Sequence, residues 1–82
     1  MDHKTRIRQF VISNFYVADA ATLGDDLSLL DQGIIDSTGV LEVIGFLETE
    51  FAIQVHDEEM LPENLDSISR ITDYVVRKQA AG

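Results

Sequence analysis

The stretch Gly33-Ile34-Ile35-Asp36-Ser37-Thr38-Gly39-Val40-Leu41-Glu42-Val43-Ile44-Gly45-Phe46-Leu47-Glu48-Thr49-Glu50-Phe51 decides how the chain is to be read. Val40, Ile44, Leu47 and Phe51 recur at spacings of 4, 3 and 4, which is one face of an α-helix. At about 100° per residue Val43 joins that side, and the pattern predicts a helix over 37–51. Asp36 and Ser37 mark its start, since either side chain can accept a hydrogen bond from the free N–H groups of the first turn. Ser37, Thr38, Leu41, Glu42, Gly45, Glu48 and Thr49 fall largely on the opposite side. Leu41 therefore stands one turn beyond Ser37 on a polar surface. A lone exposed Leu needs no explanation; one placed beside a serine at a helix mouth, with Glu42 and Glu48 around it, reads as a small docking patch.

Moving outward, Ile7, Phe10, Val11 and Phe15 define a first helix over 3–15, with Asp2 placed to cap it. Ile68, Ile71 and Val75 define a last helix over 67–79, and Arg77 and Lys78 suit the negative end of its dipole. Between 57 and 65, Pro62 fits the first position of a short helical turn. Ala52-Ile53-Gln54-Val55 alternates, but it is short and has no partner, so no strand is expected. Residues 16–36 lack a helical stripe and hold Gly24 and Gly33, yet Leu23, Leu27, Leu29, Leu30, Ile34 and Ile35 demand burial. A connection of that length is usually functional. It is expected to wrap across the helices and plug one end of the core. The fold class that results is all-α: a four-helix bundle with a long loop between the first and second helices and a short third helix.

Composition narrows the function. Eighty-two residues make one small domain, 1–82, able to bury roughly 60% of the surface its unfolded chain exposes. With 45% apolar residues the chain is too hydrophobic for a disordered acidic tail. Zero cysteines exclude a disulfide scaffold, a thiolate metal site and a cysteine nucleophile. All six basic residues lie in the end segments (Lys4, Arg6, Arg8, then Arg70, Arg77, Lys78), whereas 13 of the 15 acids fall between Gln9 and Ser69. The net charge of −9 and pI near 4.3 argue against nucleic acid or an anionic membrane as partner, because both repel such a surface. They suit basic protein surfaces. No apolar run approaches the roughly 20 residues of a membrane span, and the first residues lack the apolar core of a signal peptide. A cytoplasmic monomer without membrane insertion is expected.

The run Gly33-Ile34-Ile35-Asp36-Ser37, followed by Val40-Leu41-Glu42-Val43-Ile44 and Leu47-Glu48-Thr49-Glu50-Phe51, resembles the acyl carrier protein family. The likeness continues through Ile53-Gln54-Val55, Asp57-Glu58-Glu59 and Leu65-Asp66-Ser67-Ile68, and so covers nearly the whole chain. What the resemblance implies is a carrier, not an enzyme. Its serine, Ser37 in this chain, is esterified with 4′-phosphopantetheine taken from coenzyme A, and acyl or aminoacyl groups ride on the arm as thioesters. The resemblance implies as partners a phosphopantetheinyl transferase, an acyl- or aminoacyl-activating ligase, and acyl-transfer or synthase enzymes with basic docking surfaces. It also implies that Asp36 helps to place Ser37 and the Mg2+ ion at the encounter with the transferase, the only stage at which the metal is needed. The family's fatty-acid carriers usually have Leu after the modified serine, whereas this chain has Thr38-Gly39; an Asp-Ser-Met-Gly type of start is similar to D-alanyl carrier proteins. The cargo is thus open between acyl groups of fatty acid biosynthesis and lipid metabolism and D-alanyl or other aminoacyl groups.

The residues themselves fit that implication. A serine hydroxyl is a poor nucleophile without a base, and neither His3 nor His56 is placed as one. The acids expected to meet basic docking surfaces are Glu42 and Glu48, with Asp31, Asp36 and Glu50 behind them; Glu50 lies closer to the buried side. Leu41 and Thr38 complete the docking set. A calcium loop fails, because a start at Asp25 puts Leu27 and Leu29 at ligand positions and a start at Ser28 puts Leu30 there. A serine hydrolase fails for want of Gly-x-Ser-x-Gly and a positioned histidine. The alternative that survives is an acidic helical protein-interaction domain in which Ser37 is only a helix cap.

Overall fold

A computed structural model describes residues 2–17 and 19–81. Its helices are α1 (His3–Asn14), α2 (Ser37–Phe51), α3 (Pro62–Leu65) and α4 (Ile68–Ala81), with single 3-10 turns at Ala20–Thr22 and Asp57–Glu59. Among the described residues there is no strand. The architecture is the expected all-helical bundle, and α2 begins and ends where its apolar period begins and ends.

Each helix starts for a local reason. The Asp2 carboxylate accepts the Thr5 N–H at 2.7 Å and caps α1; the Thr5 side chain, and then this backbone bond, lower the carboxyl's pKa. Pro62 occupies the first turn of α3, where its missing N–H costs nothing. The buried Ser67 accepts the Arg70 N–H at 3.1 Å and holds the first turn of α4. The last helix thus starts at Ile68, one residue later than the spacing predicted, because Ser67 acts as its cap.

α4 is the hub against which α1, α2 and α3 all pack. Ile68, Ile71 and Val75 have no exposed surface and meet the equally buried Val11 and Leu47, with Ile7 and Val43 nearly so. Burial of side chains of this size contributes about 1.5–3 kcal/mol each. The Phe10 and Phe46 rings of α1 and α2 stack at 4.1 Å, and Phe15 and Phe51 meet this pair edge-on at 5.9 and 5.8 Å. Phe46 lies off the stripe read from the sequence. It is recruited because α1 presents Phe10 on the flank of α2, a fact about the pair of helices that neither period contains.

The long loop does plug one end of the core. Leu23, Leu29 and Ile35 are buried; Leu27 and Ile34 are half-buried, and Leu30 stays open. The loop is tied down by backbone and side-chain bonds that a hydropathy pattern does not reveal. Asp66 accepts the Leu29 N–H through its carbonyl at 2.7 Å, and its carboxylate takes the Leu30 N–H at 2.9 Å and the Ser28 hydroxyl at 2.6 Å. The Asp25 carbonyl accepts the Ser69 N–H at 2.9 Å. From α1, Arg8 donates to the Leu23 carbonyl and to the Asp25 carboxylate, which Lys4 also approaches at 3.4 Å. Gly33, at φ 68°, supplies the left-handed turn that lets the Ile34 and Ile35 N–H groups fold back on the Leu29 carbonyl at 3.0 and 3.2 Å. This return delivers the chain to Asp36.

Candidate functional site

The start of α2 is built by Asp36, Ser37 and Gly39. Asp36 is the cap: its carboxylate accepts the Gly39 N–H at 2.7 Å. Of the two residues able to cap this helix, the shorter and neutral one is thereby left free. Ser37 sits at the first helical position and is exposed. Gly39 is buried because the neighbouring chain passes very close: a Cβ there would stand 2.9 Å from Phe15 Cε1 and 3.3 Å from both Asp36 Oδ1 and Ile35 Cγ2. The end of α1 is thus pressed onto the first turn of α2. Gly39 stood in the quoted stretch, yet its role there was not legible. A glycine in the first turn of an otherwise good helix is the signal that could have found it.

One side of Ser37 opens on a groove of about 290 Å³ lined by Leu30, Val40, Met60, Leu61, Pro62 and Leu65. Leu30 and Leu61 are 38% and 41% exposed, so the groove is an apolar furrow with a serine at its rim. Its outer wall comes from the segment before and within α3, which sequence reading treated only as a helical turn.

The expected docking residues divide. Thr38, Leu41, Glu42 and Asp31 are exposed, and Leu41 reaches 62%. Glu48 is half-buried, and its carboxylate accepts the Val55 N–H at 3.0 Å. It is therefore engaged in holding the chain after α2, because its long side chain reaches back over the helix end toward a backbone donor. Glu50 was read as closer to the buried side; it is exposed and faces Arg6 at 3.4 Å. Neither histidine bonds Ser37. His3 Nε2 pairs with Gln79 Oε1 at 2.8 Å and meets Phe51 edge-on, while His56 precedes the 3-10 turn at 57–59. Among the described residues no three or more His, Asp or Glu side chains converge as a metal site, and no helix is long and apolar enough to cross a membrane.

A second polar cluster lies behind the outer wall of the groove. Glu59 Oε1 accepts from Lys78 Nζ at 2.9 Å, from the Tyr74 hydroxyl at 3.1 Å and from the His56 N–H at 3.2 Å. Lys78, then the backbone donor, hold the Glu59 carboxyl down at about 2. Burial, and then the Glu59 carboxylate, push the Tyr74 hydroxyl up to about 12.

A bundle of four helices with a long loop between the first two has the architecture of an acyl-carrier-like fold. Comparison with known proteins agrees: a D-alanyl carrier protein from Abiotrophia defectiva is 32% identical over 56 residues, spanning 68% of this chain and 71% of that protein. No family model matches. The chain belongs to the acyl carrier protein family and is a carrier protein.

Proposed function

We propose that Ser37 carries a 4′-phosphopantetheine arm and that the protein holds acyl or aminoacyl groups on it as thioesters, for delivery to partner enzymes. The observation that carries this reading is the division of roles at the start of α2. Asp36 makes the capping bond, so the exposed Ser37 hydroxyl is free of the duty that would otherwise account for it. When bound, the arm supplies the terminal thiol that a cysteine-free chain lacks. The residues present fit such a group: the helix end offers positive dipole to the phosphate, and the groove lined by Val40, Met60 and Leu61 runs from the serine.

The chain does not activate its own serine. The hydroxyl proton has to leave to a base, and both histidines are engaged or placed elsewhere. Base, Mg2+ and coenzyme A therefore come with a phosphopantetheinyl transferase. Asp36 orients the first turn and adds negative charge where the metal would approach. Around it Leu41, Thr38, Glu42 and Asp31 form the surface that meets basic partners, with Glu48 contributing charge from a fixed position. Such a surface gives fast, salt-sensitive encounter, while single exposed ion pairs contribute only about 0.2–1 kcal/mol, which permits release.

For the cargo, likeness to a D-alanyl carrier protein, together with Thr38-Gly39 after the serine, favours an aminoacyl group, D-alanyl first, loaded by a dedicated ligase. Incubation with coenzyme A, Mg2+ and a promiscuous transferase, followed by intact mass, tests the attachment. An adduct is expected on the wild type and none on Ser37→Ala. No adduct, or one that survives the substitution, removes Ser37 from the proposal.

A further inference from the structure

The outer wall of the groove is a short segment hung between two carboxylates. At one end Asp66 binds Ser28 and the Leu30 N–H, beside the buried Leu65. At the other end Glu59 binds Lys78 and Tyr74 of α4. Between these anchors lie Met60, Leu61 and Pro62, the three residues that line the groove opposite Val40. Their own burial holds them weakly: Leu61 is 41% exposed, Pro62 is exposed and Met60 alone packs, half-buried, against the core. The two ends also differ in what else they hold. Asp66 fastens the long loop, so its loss would disturb the whole fold. Glu59 fastens the wall alone, assisted by its carbonyl, which accepts the Asn64 side-chain amide at 2.9 Å, and by the exposed Arg77–Asn64 bond at 3.0 Å.

We propose that Glu59 is a positioning residue, a latch that acts through Lys78 and Tyr74 to hold the Met60–Pro62 wall against α4 and so sets how well an apolar group carried from Ser37 is shielded from water. The shielding rests on the Ser37 reading above; the latch itself does not. Tyr74 is 2% exposed and its hydroxyl bonds Glu59. Leaving that hydroxyl unpartnered is costly, so the latch has a definite closed state. When it opens, the wall keeps its ties through Asn64, Leu65 and Asp66 and the packing of Met60 against the core.

The test uses the full chain with Glu59→Gln and, independently, Lys78→Met. Amide hydrogen exchange on the unloaded protein reads the latch. Exchange at Met60, Leu61 and Asn64 should rise several-fold in both variants, while the α2 amides of Val43 and Leu47 stay unchanged. The protein is then loaded with an octanoyl or an acetyl arm, and thioester cleavage by hydroxylamine is timed. In the wild type the octanoyl ester should be cleaved several-fold more slowly than the acetyl ester. In the variants that ratio should approach one, with acetyl cleavage unaltered. Unchanged exchange at 60–64, or an octanoyl-to-acetyl ratio the same in variants and wild type, overturns the latch. A wild type that accepts no arm instead overturns the Ser37 reading, and the exchange pattern still decides whether Glu59 holds the wall.

Discussion

Two glycines in α2 should respond to alanine with opposite signs. A Cβ at Gly39 would sit 2.9 Å from Phe15 Cε1, closer than real Cβ atoms come to any neighbour, and 3.3 Å from Ile35 Cγ2 and Asp36 Oδ1. The Phe15 ring cannot simply turn away, since it meets Phe10 edge-on. Overpacking of this kind costs about 1–3 kcal/mol. The nearby Asp36 oxygen is also the cap acceptor for Gly39, and losing part of that bond adds up to about 1 kcal/mol. Against this, alanine gains up to about 1 kcal/mol of helix propensity. Gly39→Ala should therefore destabilise by about 1–3 kcal/mol. Gly45 has nothing within 4 Å of where a Cβ would stand and is exposed on the same helix. Gly45→Ala should stabilise by about 0.5–1 kcal/mol. Urea unfolding at fixed slope measures both, and thermal midpoints should separate by roughly 4–8 °C per kcal/mol. The reasoning is refuted if Gly39→Ala is as stable as the wild type or more so, because the contact with Phe15 would then not constrain the start of α2.

Glu42 and Glu48 should behave differently although both face the polar side of α2. Glu42→Ala is expected to leave stability within about 0.5 kcal/mol and to slow loading by the transferase at low salt. Glu48→Ala should cost about 1 kcal/mol by orphaning the Val55 N–H, visible in the same urea curves; equal stability of the two variants would contradict the Val55 contact. Glu59 predicts a pH dependence. Its folded-state pKa of about 2 lies below the ordinary 4.5, so its stabilisation is fully present above about pH 4.5 and is lost as pH falls toward 2. The melting temperature gap between wild type and Glu59→Gln should thus be constant near neutrality and close on acidification, and a gap that widens toward acid would reverse the assignment.

How far the site was legible can be judged residue by residue. α2 was readable to its ends because its apolar period is regular and a capping residue precedes it; Leu41 followed as an exposed apolar residue from angle alone. Which of Asp36 and Ser37 caps the helix was not readable, since both are good caps and the choice depends on where the loop delivers the backbone. The loop itself showed that it must be buried but not how: Leu23, Leu29 and Ile35 turn in while Leu30 stays out, because an irregular segment has no period to assign faces. The bond from Val55 to Glu48 was unreadable for a related reason, as helical angle places a Cβ but not the carboxylate at the end of a flexible side chain.

The cysteine-free composition, the acidic middle, the helical periods and the Asp36-Ser37 start are local properties of the chain; they were enough to predict an all-helical bundle, and the resemblance that the Asp36-Ser37 stretch carries pointed to a carrier. The groove beside Ser37 joins residues from the loop, α2 and α3, and the Glu59 cluster joins the turn at 57–59 to α4. Only tertiary structure decides such assemblies, because their members are distant in sequence and each contact depends on how separate helices pack rather than on the preferences of any one of them.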